Sequence, residues 1–243
     1  MKFNGKTAVV AGGGQGIGAA IARELAAGGA QVMVWDINEK GATDVAAGIS
    51  ANRGKARAAR VDALDHAQVK AGVEQVVSEF GKLDIMVCSV GGGKFVPFQQ
   101  CTPEFFQQQV NFNLNPVFNC ARAALDPMLE RNYGKMLFFT SVTGGEAYLS
   151  AYQAGKAAVN SLIQTLVAEL AQSRLNINAI MPNLTDTPLG RGSFSELPNG
   201  DELWQQYADR PRGINTPESV ARMAAFLVSD EAERLTGQIM AMV

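Results

Sequence analysis

Histidine is nearly missing from this chain, and that scarcity is informative: His66 is the only one in 243 residues. A Ser-His-Asp hydrolase needs a histidine beside its serine, and nothing in the sequence places His66 near a candidate nucleophile. Zinc chemistry built on Cys and His ligands lacks its donors for the same reason, so no metal is expected. His66 itself follows Asp65 at the start of a predicted helix and reads as a surface or capping residue. Cysteine is also sparse. Cys88, Cys101 and Cys120 are an odd number without ligand-like spacing, and they are expected to be buried free thiols.

Charge and long apolar runs are lacking too. A net charge of −2 gives no basic footprint for nucleic acid. No apolar run approaches the roughly 18 residues of a membrane span. Met1-Lys2-Phe3-Asn4-Gly5-Lys6 is not followed by the apolar core of a signal peptide, so a cytoplasmic protein is expected. Low-complexity tracts, repeats and linkers are absent. What remains is short apolar runs alternating with helical segments: Thr7 to Ala11, Gln31 to Trp35, Ile85 to Val87, Met136 to Phe139 and Ile177 to Ile180 read as buried strands. Alternation of this kind predicts an α/β fold, one doubly wound parallel Rossmann-type sheet with helices on both faces, formed by residues 1–243 as a single domain.

The first strand runs into Gly12-Gly13-Gly14-Gln15-Gly16-Ile17-Gly18, and a helix-forming stretch from Ala19 to Ala27 follows, closed by Gly28-Gly29. Strand, glycine turn and helix N-terminus bring free backbone N–H groups to a pyrophosphate with no Cβ in the way. The second strand ends in Asp36. A carboxylate there accepts hydrogen bonds from the adenosine ribose and repels a 2′-phosphate. Neither Gln15 nor Ile37 supplies a compensating cation, so NAD is expected rather than NADP; the competing reading of Asp36 is a cap for the next helix.

Tyr152 and Lys156 stand four apart in Ser150-Ala151-Tyr152-Gln153-Ala154-Gly155-Lys156. On a helix that spacing shares one face, so the ammonium can favour the phenolate and make the phenol a usable acid and base.

These residues resemble the short-chain dehydrogenase/reductase family in its compact single-domain branch, over nearly the whole chain. The family's glycine motif falls on Ala11, Gly12, Gly16 and Gly18, and its acidic residue near the adenine on Asp62. Its stabilising Asn-Asn-Ala-Gly segment falls on Cys88-Ser89-Val90-Gly91, which keeps only the glycine. The resemblance implies a catalytic quartet of Asn113, which would hold a relay water, Ser141, which would orient the substrate, and Tyr152 with Lys156. A short loop between Ser141 and Tyr152 leaves Thr140 and Thr143 as competitors for the serine's role. Pro116 predicts a kink near Phe112 and Asn113. Pro182-Asn183-Leu184-Thr185-Asp186-Thr187 matches the segment that clamps the nicotinamide, with Asn183 in place of a glycine and suited to a positive φ if one is required. The expected cofactor-binding set is therefore Gly12, Gln15, Gly16, Ile17, Gly18, Asp36, Asp62, Gly91, Tyr152, Lys156, Pro182, Thr185 and Thr187.

The resemblance implies hydride transfer between NAD(H) and a secondary alcohol or ketone, with oxidation as the physiological direction. A 3-oxoacyl thioester reductase of the same family and a catalytically silent NAD-binding sensor are the alternatives. Glycines 91, 92, 93, 144 and 145 leave room near the site, and Pro188 to Arg212 reads as a lid containing two short helices. Arg191 there is read either as a partner for a substrate carboxylate or as solvated. Apolar residues on two long helices, Phe105, Phe118, Ala157, Leu162 and Leu166, predict a homotetramer or homodimer.

Overall fold

The structure is a computed structural model that describes residues 2–141 and 145–242. Seven strands are present among them: β1 (Thr7–Ala11), β2 (Gln31–Asp36), β3 (Lys55–Arg60), β4 (Ile85–Cys88), β5 (Gly134–Phe139), β6 (Leu175–Pro182) and β7 (Ile239–Met242). They alternate with helices α1 (Gly16–Ala27), α2 (Glu39–Ala51), α3 (His66–Phe80), α4 (Pro103–Glu130), α5 (Ser150–Glu169), α6 (Pro188–Ser195), α7 (Gly200–Ala208) and α8 (Pro217–Leu227). All strands are parallel, in the order β3-β2-β1-β4-β5-β6-β7. The order reverses between β1 and β4, and a crevice opens at such a switch point beyond the carboxyl ends of the strands.

Alternate residues of each strand point to opposite faces, and the two faces have separate cores. Ala8, Val10, Val32, Val34, Ile85 and Val87 pack with α1, α2 and α8. Val9, Ala11, Met33, Trp35, Met86 and Phe138 pack with α3, α4 and α5. Each fully buried aliphatic or aromatic side chain contributes about 1.5–3 kcal/mol, so burial on both faces explains why these strands read as continuous apolar runs. The edge strand β3, Lys-Ala-Arg-Ala-Ala-Arg, is only partly covered and keeps its polar residues in solvent.

Side-chain caps fix most helix starts. Asn38 accepts from the Gly41 N–H, Asp65 from Ala67 and Gln68, Thr102 from Phe105, Thr187 from Gly190 and Thr216 from Ser219. His66 thus opens α3 exposed, while Asp65 does the capping. Pro103, Pro188 and Pro217 begin three of these helices, where the missing N–H costs nothing. Pro116 and Pro127 lie inside α4, which nevertheless runs unbroken for 28 residues; what Pro116 removes is the N–H that would have reached the Phe112 carbonyl. Of the three thiols, Cys88 and Cys120 are buried and hydrogen-bonded to each other, whereas Cys101 is half-buried.

Candidate active site

A cleft of about 750 Å³ runs along the carboxyl ends of the strands, from Asp36, Ile37, Asp62 and Leu64 at one end to Ser141, Tyr152, Phe194 and Tyr207 at the other. Its floor is the turn between β1 and α1. Gly12 and Gly16 have φ of +75° and +53°, and a Cβ on Gly18 would lie 2.0 Å from the Gly12 carbonyl oxygen. Only glycine fits there. In contrast to the capped helices above, α1 begins at Gln15, whose side chain makes no capping bond. Its first N–H groups face the cleft, ready for an anion.

At the far end, Asp36 Oδ2 accepts from the Gly14 N–H at 2.9 Å and Oδ1 from the Asn38 N–H at 2.9 Å. The competing reading of Asp36 as a helix cap is set aside, since Asn38 caps α2. The Asp62 carboxylate accepts from the Leu64 N–H at 2.9 Å. Ile37 and Leu64, 56% and 42% exposed, flank this end as two uncovered apolar side chains. A phosphate cradle that no Cβ tolerates, a ribose-facing carboxylate and an apolar slot together fit a dinucleotide.

Ser141 lies two residues beyond β5, and Tyr152 and Lys156 lie one turn apart on α5. The Ser141 side chain is near enough to the Tyr152 hydroxyl to act on the phenol, and both line the cleft. Of the other hydroxyl candidates, Thr140 is buried and donates to the Lys156 carbonyl at 3.1 Å, and Thr143 lies outside the described residues. Lys156 is fully buried, and its Nζ donates to the Phe139 carbonyl at 2.8 Å and sits 5.9 Å from the centre of the Tyr152 ring. Burial pushes the Lys156 ammonium down to about 8, with Cys88 working weakly against it. Burial also raises the Tyr152 phenol, Glu146 adds to the rise, and the Ser141 side chain pulls the other way. The expectation that Lys156 favours the phenolate is therefore not met in this geometry, because the ammonium is turned to Phe139 and desolvation of the phenol dominates.

Asn113 is fully buried, and its carboxamide is engaged. Nδ2 donates to the carbonyls of Gly92 (3.0 Å) and Gln109 (2.9 Å), and Oδ1 accepts from the Gly92 N–H at 3.0 Å. It clamps the loop after β4 to α4. Gly91, at φ +143°, leaves the space between Asn113 Oδ1 and Lys156 Nζ that a Cβ would fill at 2.8 and 2.9 Å. In the segment after β6, Pro182, Thr185 and Thr187 all line the cleft. Thr185 donates to the Asn183 carbonyl, and Asn183 is not among the positive-φ residues, so it needs no glycine-like freedom.

The segment from Pro188 contains the two expected short helices. Phe194 is its anchor, edge-on to Phe95, Trp204 and Tyr207 at 5.9, 5.4 and 5.8 Å, and Leu189 faces Gly92. Arg191 is exposed, in keeping with the solvated reading, and is also paired. Its guanidinium is paired in two-pronged fashion with Asp186 at 2.6 and 2.7 Å and lies 4.8 Å from the centre of the Trp204 ring. Sequence reasoning missed Glu146, the lone charge between Ser141 and Tyr152, which lines the cleft; being the only carboxylate in that loop was the available signal.

A doubly wound sheet with a dinucleotide cradle at its switch point and a Ser, Tyr and Lys set across the same cleft defines a nicotinamide-type oxidoreductase. Comparison with known proteins narrows this. The short chain dehydrogenase family model matches residues 6–197, and the chain belongs to that family of oxidoreductases acting on CH–OH groups. It is 35% identical to cis-4-hydroxycyclohexanecarboxylate dehydrogenase of Sinomonas cyclohexanicum, covering 98% of this chain and 95% of that one. It is 31% identical to 2-dehydro-3-deoxy-L-rhamnonate dehydrogenase (NAD(+)) of Sphingomonas sp. strain SKA58, covering 97% and 92%. The crystal structure of levodione reductase superposes with a TM-score of 0.93 at 27% identity, covering 99% and 96%. Among the described residues, no helix is long and apolar enough to cross a membrane.

Proposed function

We propose that this chain is an NAD-dependent dehydrogenase that interconverts a secondary alcohol and its ketone, with Tyr152 as the acid and base. The observation that carries the reading is that Ser141, Tyr152 and Lys156 line the same cleft as the glycine turn. Tyr152 gives its hydroxyl proton to the ketone oxygen in reduction and takes the carbinol proton in oxidation, while Ser141 holds that oxygen. The nicotinamide, when bound, supplies the hydride acceptor or donor. Lys156 and Asp36 hold the two riboses, the turn from Gly12 to Gly18 holds the pyrophosphate, Asp62 borders the adenine, and Gly91, Pro182, Thr185 and Thr187 border the nicotinamide. Asn113 keeps the Gly92 backbone in place beside Lys156. Asp36 and Asp62 are the only charged residues among those described at the adenine end, which favours NAD over a cofactor with an added phosphate. Residues 188–212 serve as the lid. The half-buried and exposed apolar residues of α4 and α5, with Phe118 at 50% exposure, favour pairing of these helices with a second copy.

Tyr152→Phe removes only the transferable proton. It is expected to keep the fold and NAD binding and to lose about 10²–10⁴-fold in kcat on secondary alcohols. Because burial raises the phenol, wild-type oxidation should quicken with alkaline pH as the phenolate forms. A variant retaining a third of the wild-type rate would overturn the assignment.

A further inference from the structure

The substrate end of the cleft has a lopsided charge. Among the described residues, four charged ones line the cleft: Asp36 and Asp62 at the adenine end, Lys156, and Glu146. Lys156 is buried and spends a hydrogen bond on the Phe139 carbonyl. That leaves Glu146 as the one anion among the described residues lining the cleft on the Tyr152 side, an exposed carboxylate at the mouth of that space. The neighbouring cations do not line the space. Arg191 is locked onto Asp186, Arg210 stacks on the Tyr207 ring at 3.8 Å, and Lys94 is exposed outside the cleft. Residues 142–144 are Val, Thr and Gly and bring no charge. The remaining wall is Phe95, Leu149, Leu184, Leu189 and Phe194. An anionic substrate would pass the Glu146 carboxylate on the way in and lose its own hydration, and among the described lining residues the buried Lys156, already bonded to the Phe139 carbonyl, is the one cation it could meet.

We propose, building on the dehydrogenase reading above, that the substrate is an uncharged secondary alcohol or ketone with an apolar, ring-sized body, and that Glu146 is the residue that turns carboxylates away. The chain would then differ from the relative named for a hydroxycyclohexanecarboxylate, which supplies a matched pair of probes. The methyl ester and the free acid of cis-4-hydroxycyclohexanecarboxylate share a ring and a carbinol and differ mainly in charge.

The test is kcat/KM for ester and acid with NAD in the wild type, Glu146→Gln and Glu146→Lys at low salt. The ester-to-acid ratio is the readout, because any change in Tyr152 titration affects both compounds equally. The wild type should favour the ester on the order of tenfold or more, as expected for like charges across a partly solvated gap. Gln should bring the ratio close to one, and Lys should invert it. A wild-type ratio near one, or a ratio that neither variant moves, overturns the proposal while leaving the dehydrogenase reading intact. If neither compound is oxidised, the dehydrogenase reading is what fails for this ring, and calorimetry in the presence of NADH then decides the proposal. Binding of the ester without the acid sustains it; equal binding, or binding of neither, overturns it.

Discussion

Lys156→Met isolates the energetic cost of the buried ammonium. The fold holds the group at about 8 against an ordinary value of 10.5, a gap that corresponds to roughly 3 kcal/mol. The charged form is the one disfavoured, so the wild-type protein bears the whole cost below about pH 8, where the lysine is protonated in both states. Between about 8 and 10.5 the unfolded chain still binds the proton while the folded chain has released it, so wild-type stability should rise with pH there, by about 2–3 kcal/mol from pH 7 to pH 10. Methionine fills a similar volume and carries no proton. At pH 7 it removes the ammonium's cost but leaves the Phe139 carbonyl without its 2.8 Å partner, which costs about 1–3 kcal/mol in a buried site. The two nearly cancel, so the variant should be as stable as the wild type at neutral pH or somewhat more so, and lose that standing steadily as pH rises. Urea unfolding of both proteins without cofactor at pH 7, 8, 9 and 10 reads the difference, and titrations common to both cancel. A stability difference that stays flat from pH 7 to pH 10 would refute the reasoning.

Two further outcomes follow from the cofactor end and from α4 and α5. Asp36→Ala should narrow or reverse the preference for NAD over NADP, measured as kcat/KM for each, and should cost about 1 kcal/mol of stability because the Gly14 and Asn38 N–H groups lose their acceptor; a wild type that already prefers NADP would overturn the role given to Asp36. Light scattering at low micromolar concentration should show an assembly larger than the 25.8 kDa chain, and a single monomeric species would rule out pairing through α4 and α5.

What could be read from the sequence was what is local or periodic. Strands buried on both faces announce themselves as apolar runs, and the partners Tyr152 and Lys156 are fixed by one helical turn. The edge strand β3 gives no apolar run of its own, because half of it faces water and its alternation is carried by arginines. The clamp of Asn113 on Gly92, the locking of Arg191 by Asp186 and Trp204, and the packing of Phe95 against Phe194 depend on how separate elements meet. Glu146 was overlooked for a related reason: it is an exposed loop charge, and only the fold brings its loop to the rim of the cleft.

The position of β1 in the sheet bears on how the chain is made. It lies between β2 and β4, yet β4 emerges from synthesis about 75 residues after it, as the numbering of Thr7–Ala11 and Ile85–Cys88 requires. Until then the nascent sheet is β3-β2-β1, with the largely apolar β1 as a bare edge, the kind of strand that pairs with the wrong neighbour. The half that carries the glycine cradle is thus the first to form and also the most exposed to misassembly. Protection comes when Ile85–Cys88 docks, the same event that brings Gly91 and Gly92 beside the cradle.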